Sequence, residues 1–223
     1  MRNDLIFNCA LRISYYFWKE KLKMAVNLQK GQKVPLKKSD GKKLTHLMVG
    51  LGWDAAEQKK GFFGRLFGST DHIDCDASVF LCQGGKFVDK DDLVYFGNLK
   101  HRSGAVNHMG DNLTGDGEGD DEQIFINLDE LPSRYDKLIF VVNIYQAVER
   151  KQHFGMIKNA FIRIIDDDTR EELCRFNLSD DYTNMLSMIA GEVYRYKDEW
   201  KFNAVGSGTT DEGLSALSRR FAK

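Results

Sequence analysis

Apolar and polar residues alternate along much of this chain. In His72-Ile73-Asp74-Cys75-Asp76-Ala77-Ser78-Val79-Phe80-Leu81, positions Ile73, Cys75, Ala77, Val79 and Leu81 are apolar or small, which is the two-residue period of a strand with one buried face. Strand-like segments recur between turn signals at 44–51, 77–82, 93–96, 105–109, 123–128, 138–145, 160–165, 172–178, 185–196 and 200–205. Gly84-Gly85 and Asp168-Thr169 mark hairpin turns between them. Two stretches read as helical. Residues 128–135 make one short turn containing Pro132, and 211–222 place Leu214, Leu217 and Phe221 on one face with Asp211 as N-cap. That stripe is expected to pack as core. Short, regularly spaced strands with 12% aromatic residues favour an all-β, antiparallel sandwich with one or two short helices.

Composition narrows the picture without changing it. A hydrophobic content of 42% with 15 phenylalanines is enough for a substantial core, and the 200 residues from Met24 onward suit one sandwich domain. The net charge of −1 argues against a nucleic-acid protein, which would carry a basic stripe. Lys30, Lys33, Lys37, Lys38, Lys42 and Lys43 read as a solvated hairpin face. Residues 1–23 are apolar in two short runs broken by charges, so they match neither a secretory signal nor a membrane span of about 20 residues. Lys19-Glu20 can be encoded by AAG-GAG, a ribosome-binding sequence, which points to Met24 as the start. Residues 1–23 are then a non-native or disordered leader ahead of a domain at 24–223; the alternative is an amphipathic N-terminal helix.

Chemistry concentrates in residues 110–122, GDNLTGDGEGDDE, which hold six carboxylates, four glycines and no basic residue. Like charges crowded this closely repel one another, and a hard divalent cation bound through oxygen donors relieves the repulsion. The stretch reads as a calcium-binding loop. Neither possible EF-hand register fits: from Asp111 the glutamate falls on Glu122 but Leu113, Gly115 and Asp116 occupy other key places, and from Asp116 the glycine position is Asp121. Strand-like flanks make it a strand-to-strand loop. Asp74 and Asp76, about 6.6 Å apart on one face of a strand, add a second carboxylate pair able to hold one ion or two neighbouring ions. The candidate metal ligands are Asp74, Asp76, Asp111, Asn112, Asp116, Glu118, Asp120, Asp121 and Glu122, with Asp54 as an addition.

The chain resembles the TerD family of bacterial tellurium-resistance and general-stress proteins. The resemblance spans nearly everything from Met24 on and rests on Gly50-Leu51-Gly52-Trp53-Asp54, Asp74-Cys75-Asp76-Ala77-Ser78 and Gly110-Asp111-Asn112 with the acidic run after it. Further markers are Asn159-Ala160-Phe161, Arg175-Phe176-Asn177-Leu178, Gly191-Glu192-Val193-Tyr194-Arg195 and Glu199-Trp200-Lys201-Phe202. It implies a calcium-binding β-sandwich with no established catalytic activity, holding two calcium ions. It also implies association with other Ter-operon proteins and their membrane component, so that the protein is cytoplasmic and peripheral at the inner membrane. Leu113 stands where the family often has arginine, and His153 where asparagine is usual. Gln146 replaces a common aspartate after Ile144-Tyr145, which implies weaker binding of one ion wherever that aspartate touches metal.

Two functions from different classes fit these residues. One is a calcium-binding interaction module whose ion orders the acidic loop. The other is a hydrolase using the same carboxylates around magnesium or manganese. Calcium is favoured because magnesium sites hold only one or two carboxylates. No G-x-S-x-G, Walker A or H-E-x-x-H motif accompanies the cluster, and His108 reads as structural. Cys75 and Cys82 face opposite sides of one strand, so the cysteines suit reduced, buried thiols and not zinc. Burial would also make them inert towards tellurite. Residues 59–68, KKGFFGRLFG, carry Phe62, Phe63 and Phe67 among glycines and three basic residues. These rings either fold over the sandwich edge or form an apolar contact with a membrane or partner.

Overall fold

The computed structural model describes residues 25–55, 73–110 and 119–223. Its strands are β1 (Val26–Leu28), β2 (Lys33–Pro35), β3 (His46–Ala55), β4 (Cys75–Cys82), β5 (Leu93–Val94) and β6 (Val106–His108). Then come β7 (Glu122–Asn127), β8 (Lys137–Ile144), β9 (Ile157–Asp166), β10 (Glu171–Asn177), β11 (Ser187–Tyr196) and β12 (Glu199–Thr209), followed by helix α1 (Leu214–Phe221). They form two six-stranded sheets, sheet A in the order β1-β10-β9-β3-β7-β6 and sheet B in the order β2-β12-β11-β8-β4-β5. Pairing is antiparallel except between β1 and β10. The all-β sandwich is therefore present.

Period-two patterning explains which side chains lie between the sheets. Leu47, Val49, Leu51, Ile124, Ile126, Ile162 and Ile164 come from sheet A, and Cys75, Ala77, Val79, Leu81, Phe140, Val142 and Phe202 from sheet B; all join one buried cluster. Phe80, Cys82, Ile139 and Val141 point the other way and are covered by α1 through Leu217, with Leu214 and Phe221 packed alongside. Edge-on ring pairs Phe80–Phe87 and Phe80–Phe221, at 4.9 and 5.0 Å, close this second layer. Strand β4 is consequently buried on both faces. The face carrying Asp76 and Ser78, which the alternation leaves open to solvent, lies beneath protein.

Local differences from the sequence reading have local causes. The helix starts after Gly213, at φ 80°, with no side-chain cap; Asp211 instead accepts from Arg220 and Thr209. Residues 128–135 form turns, not a helix. Strands β1 and β2 escape notice in the sequence because three-residue edge strands are too short to show a period. The Gly84-Gly85 hairpin is present, both residues at positive φ as its tight turn demands. His153 Nδ1 accepts the Gly155 N–H at 3.1 Å and caps a short 3-10 turn at Phe154–Met156. Five of the six hairpin lysines are ion-paired, Lys30, Lys37, Lys38, Lys42 and Lys43 with Asp180, Glu199, Asp168, Asp40 and Asp129.

Candidate functional site

The Gly50–Asp54 motif runs along β3 beside β9, with Gly50 opposite Arg163 and Gly52 opposite Phe161. Each glycine leaves room for one neighbour. A Cβ on Gly50 would run into the Asp120 carboxylate, and one on Gly52 into the Phe161 ring. Asp120 lies across Gly50 and is gripped by Arg163, Nε to Oδ1 at 2.6 Å and Nη2 to Oδ2 at 2.9 Å. Arg163 also donates to Glu172, which accepts from Arg175, and Arg175 stacks over Phe161 at 4.1 Å. Burial pushes the Glu172 carboxyl up, but hydrogen bonds from Arg175 and Arg163 outweigh it and leave its pKa below the ordinary value. Beyond this chain of charges lies a cleft of about 630 Å³ lined by Trp53, Asp54, Asn159, Phe161, Arg175 and Asn177. Asp54 accepts from Asn159 there at 2.7 Å. Three of the motifs singled out in the sequence thus meet across the interior strands β3, β9 and β10 of sheet A.

Asp121 and Glu122 occupy the adjoining end of the sandwich. Asp121 extends the β3–β7 ladder: its N–H donates to Leu51 O and its Oδ2 accepts the Trp53 N–H at 2.6 Å. Glu122 points between the sheets, where its Oε2 accepts the Ala77 N–H of β4 at 2.7 Å and pairs with His108 Nε2 at 3.0 Å. His108 Nδ1 accepts the Gly110 N–H at 3.0 Å, so Nε2 carries the imidazole proton. A single buried ring ties both ends of the acidic stretch, which is the structural role expected of His108.

Across the gap, Asp74 and Asp76 flank Cys75 at the start of β4. Arg150 Nη1 comes within 3.8 Å of Asp74, and Asn143 Nδ2 lies 3.5 Å from Asp76. The Cys75 thiol pKa is pushed well up, first by burial and then by the charges of Asp76, Asp74, Glu122 and Asp121. Four of the nine expected ligands thus lie near enough to Cys75 for their charges to act on its thiol. Cys82 and Cys174 are likewise raised to about 12, chiefly by burial. All three thiols stay protonated and inert near neutrality.

Asp120 departs from the expected set, because both its oxygens are committed to Arg163 on the outer side of sheet A. Asp111, Asn112, Asp116 and Glu118, together with Phe62, Phe63 and Phe67 and residues 1–23, lie outside the described residues. Among the described residues, no three Asp, Glu, His or Cys side chains are grouped closely enough to hold a metal ion. No helix among them is long and apolar enough to cross a membrane. The sequence reading missed Arg163 and Glu172; only the pairing of β3 with β9 and β9 with β10 brings them to Asp120.

An all-β sandwich with carboxylates drawn to one end, beside a glycine-dependent charge network, defines the class. The chain belongs to the TerD family: the TerD domain model matches residues 24–221. It is 55% identical over 199 residues to the stress response protein SCP2 of Bacillus subtilis (strain 168), covering 89% of this chain and 100% of that protein. It is 44% identical over 201 residues to the tellurium resistance protein TerD of Serratia marcescens, covering 89% and 97%. A solved homologue of telluride resistance protein (TerD), SCO6318 from Streptomyces coelicolor A3(2), matches with a TM-score of 0.53 over 74% of this chain and 90% of that one. At 20% identity that likeness speaks for the fold.

Proposed function

We propose that this tellurium-resistance and stress-response family member is a non-catalytic, calcium-binding interaction module. The observation that carries the reading is the bond from the Ala77 N–H to Glu122, which brings the end of the acidic stretch to the strand that begins at Cys75-Asp76. The donors fit the ion. Carboxylate oxygens suit hard calcium, and the next residues in sequence, Asp111, Asn112, Asp116 and Glu118, supply more oxygens of the same kind. Asp120 serves as a positioning residue, fixing the acidic stretch to Arg163. Bound calcium would add positive charge beside these carboxylates; Asp121 and Glu122 connect that charge to both sheets through Trp53 and Ala77.

In this reading the protein works in the cytoplasm at the inner membrane. Phe62, Phe63 and Phe67 form its contact with the membrane or with another protein of the same operon. Co-sedimentation of the Phe62→Ser/Phe63→Ser/Phe67→Ser protein with anionic vesicles tests that contact, and undiminished binding refutes it.

Calorimetric titration and thermal melting test the ion. A ligand at about a hundred times its Kd stabilises a fold by about 2.7 kcal/mol, which raises Tm by about 5–10 °C for a domain of this size. Calcium should produce such a rise, magnesium a smaller one, and Asp76→Ala should abolish most of it. A melting curve unmoved by millimolar calcium refutes the reading.

A further inference from the structure

The face of sheet B that α1 covers at Phe80, Ile139 and Val141 continues past the helix toward the β11–β12 turn. Lys137, Tyr194, Lys201 and Pro35 stand directly opposite one another there, across β8, β11, β12 and β2. Lys33 lies opposite Asn203 in the next row, and Tyr196, 51% exposed, lies opposite Glu199 nearest the turn. The Nζ atoms of Lys201 and Lys197 stand 4.2 and 5.7 Å from the Tyr196 ring, whose negative face holds both ammonium groups at the surface. Lys37 pairs with Glu199 and Lys137 with Glu192, whereas Lys33, Lys197 and Lys201 form no ion pair among the described residues. Even counting Asp198 in the turn, the lysines outnumber the carboxylates. Cys82 stands opposite Lys137 and Cys75 opposite Ile144, so this patch lies at the other end of β4 from Asp74 and Asp76.

Beside it a slot of about 400 Å³ opens between the edges of the two sheets. Val26, Val34, Pro35, Leu36 and Leu173 line the slot, and Val26 is 49% exposed. Pro35 and Lys37 belong to both features. Glu171 and Glu172 form the far wall, where Arg163 and Arg175 hold Glu172. Lysines and tyrosines around an apolar slot match an amphiphile with an anionic head. The ammonium groups take the head, the tyrosines sit where hydrocarbon meets water, and the slot takes the hydrocarbon. A nucleic acid would leave the slot unused, and it draws its affinity from many more phosphate contacts than three free lysines provide.

We propose that this face docks on an anionic phospholipid bilayer. Lys33, Lys197 and Lys201 meet lipid phosphates, and Val26 with Val34 meets an acyl chain. Calcium and residues 59–68 take no part, so the inference stands or falls separately from the proposed function.

Co-sedimentation of the whole protein with vesicles in EDTA provides the test. Mixed phosphatidylglycerol and phosphatidylcholine vesicles should bind it, phosphatidylcholine alone should not, and raising salt from about 0.05 to about 0.5 M should release it. Lys33→Gln, Lys197→Gln and Lys201→Gln should each weaken binding about fivefold, one charge being worth about 1 kcal/mol at such a surface. Val26→Ser should weaken it by roughly the same factor without changing the salt dependence. None of the lysine variants should move Tm, because these ammonium groups make no ion pair whose loss would be felt. The Phe62→Ser/Phe63→Ser/Phe67→Ser protein should keep this lysine-dependent binding. Equal binding to phosphatidylcholine, unaltered binding when all three lysines are replaced, loss of the binding in the phenylalanine variant, or tighter binding of single-stranded RNA than of vesicles would overturn the proposal.

Discussion

Arg163 holds a carboxylate whose side chain has no solvent exposure, while itself remaining partly exposed. Removing it strands the Asp120 charge in the protein, and breaking such a pair from one side costs about 3–5 kcal/mol. Arg163→Ala should lose about that much stability in urea melts, and Asp120→Ala added to it should restore part of the loss. A second buried group makes stability depend on pH. Asp92 accepts from Tyr135 at 2.6 Å, Arg102 at 2.7 Å and Gln83 at 3.0 Å, and meets His101 Nε2 at 3.3 Å. Burial holds the His101 pKa below its ordinary 6.5, and Asp92 only partly offsets this. The unfolded chain therefore takes up a proton below pH 6.5 that the folded chain declines. Stability from this group is fully present above that value and is lost as pH falls through the folded pKa. Burial raises Asp92, but bonds from Tyr135, His101 and Gln83 with the Arg102 charge outweigh it; that contribution is lost below the ordinary 3.8. Urea melts at pH 7.5, 6 and 5 should show declining stability, with a flatter profile in His101→Gln.

Among the elements, α1 shows how a short helix stabilises a sheet from outside. Leu217 is fully buried against Phe80, Phe87, Ile139 and Val141, and the Phe87 N–H donates to Phe221 O at 3.0 Å. Leu217→Ala should cost about 3 kcal/mol, measured by urea unfolding, because the cavity is walled by rigid strands. This element was legible in the sequence: Leu214, Leu217 and Phe221 recur at helical spacing, and they do form the packed stripe. Its start was not legible. Asp211 has the chemistry of an N-cap, but competition from Arg220 and Thr209 draws its carboxylate away. Long strands were legible for a similar reason, since β3, β7 and β9 each expose their period over six residues or more. What α1 covers was not, because alternation marks one apolar face and says nothing about what later packs on the other.

For the whole molecule, the candidate site was legible as chemistry and only in part as geometry. Asp74, Asp76, Asp121 and Glu122 are carboxylates in any reading of the sequence. That Glu122 reaches the Ala77 amide beside Asp76, while Asp120 two residues from Glu122 turns to the opposite side of sheet A, follows from strand pairing that one sequence does not encode visibly. The bond from Ala77 to Glu122 has a consequence of its own. The Ala77 amide bonds to a side chain from the opposite sheet, because β5 pairs with β4 only at Val79 and Phe80. Its hydrogen is thus shielded by the seating of one sheet on the other. Deuterium can reach it only when the two sheets part or Glu122 withdraws. Its exchange rate in a native-state experiment should therefore act as a clock for the opening of the sandwich at this end, and anything that fastens the acidic stretch should slow that clock before it slows the amides of β11 and β12.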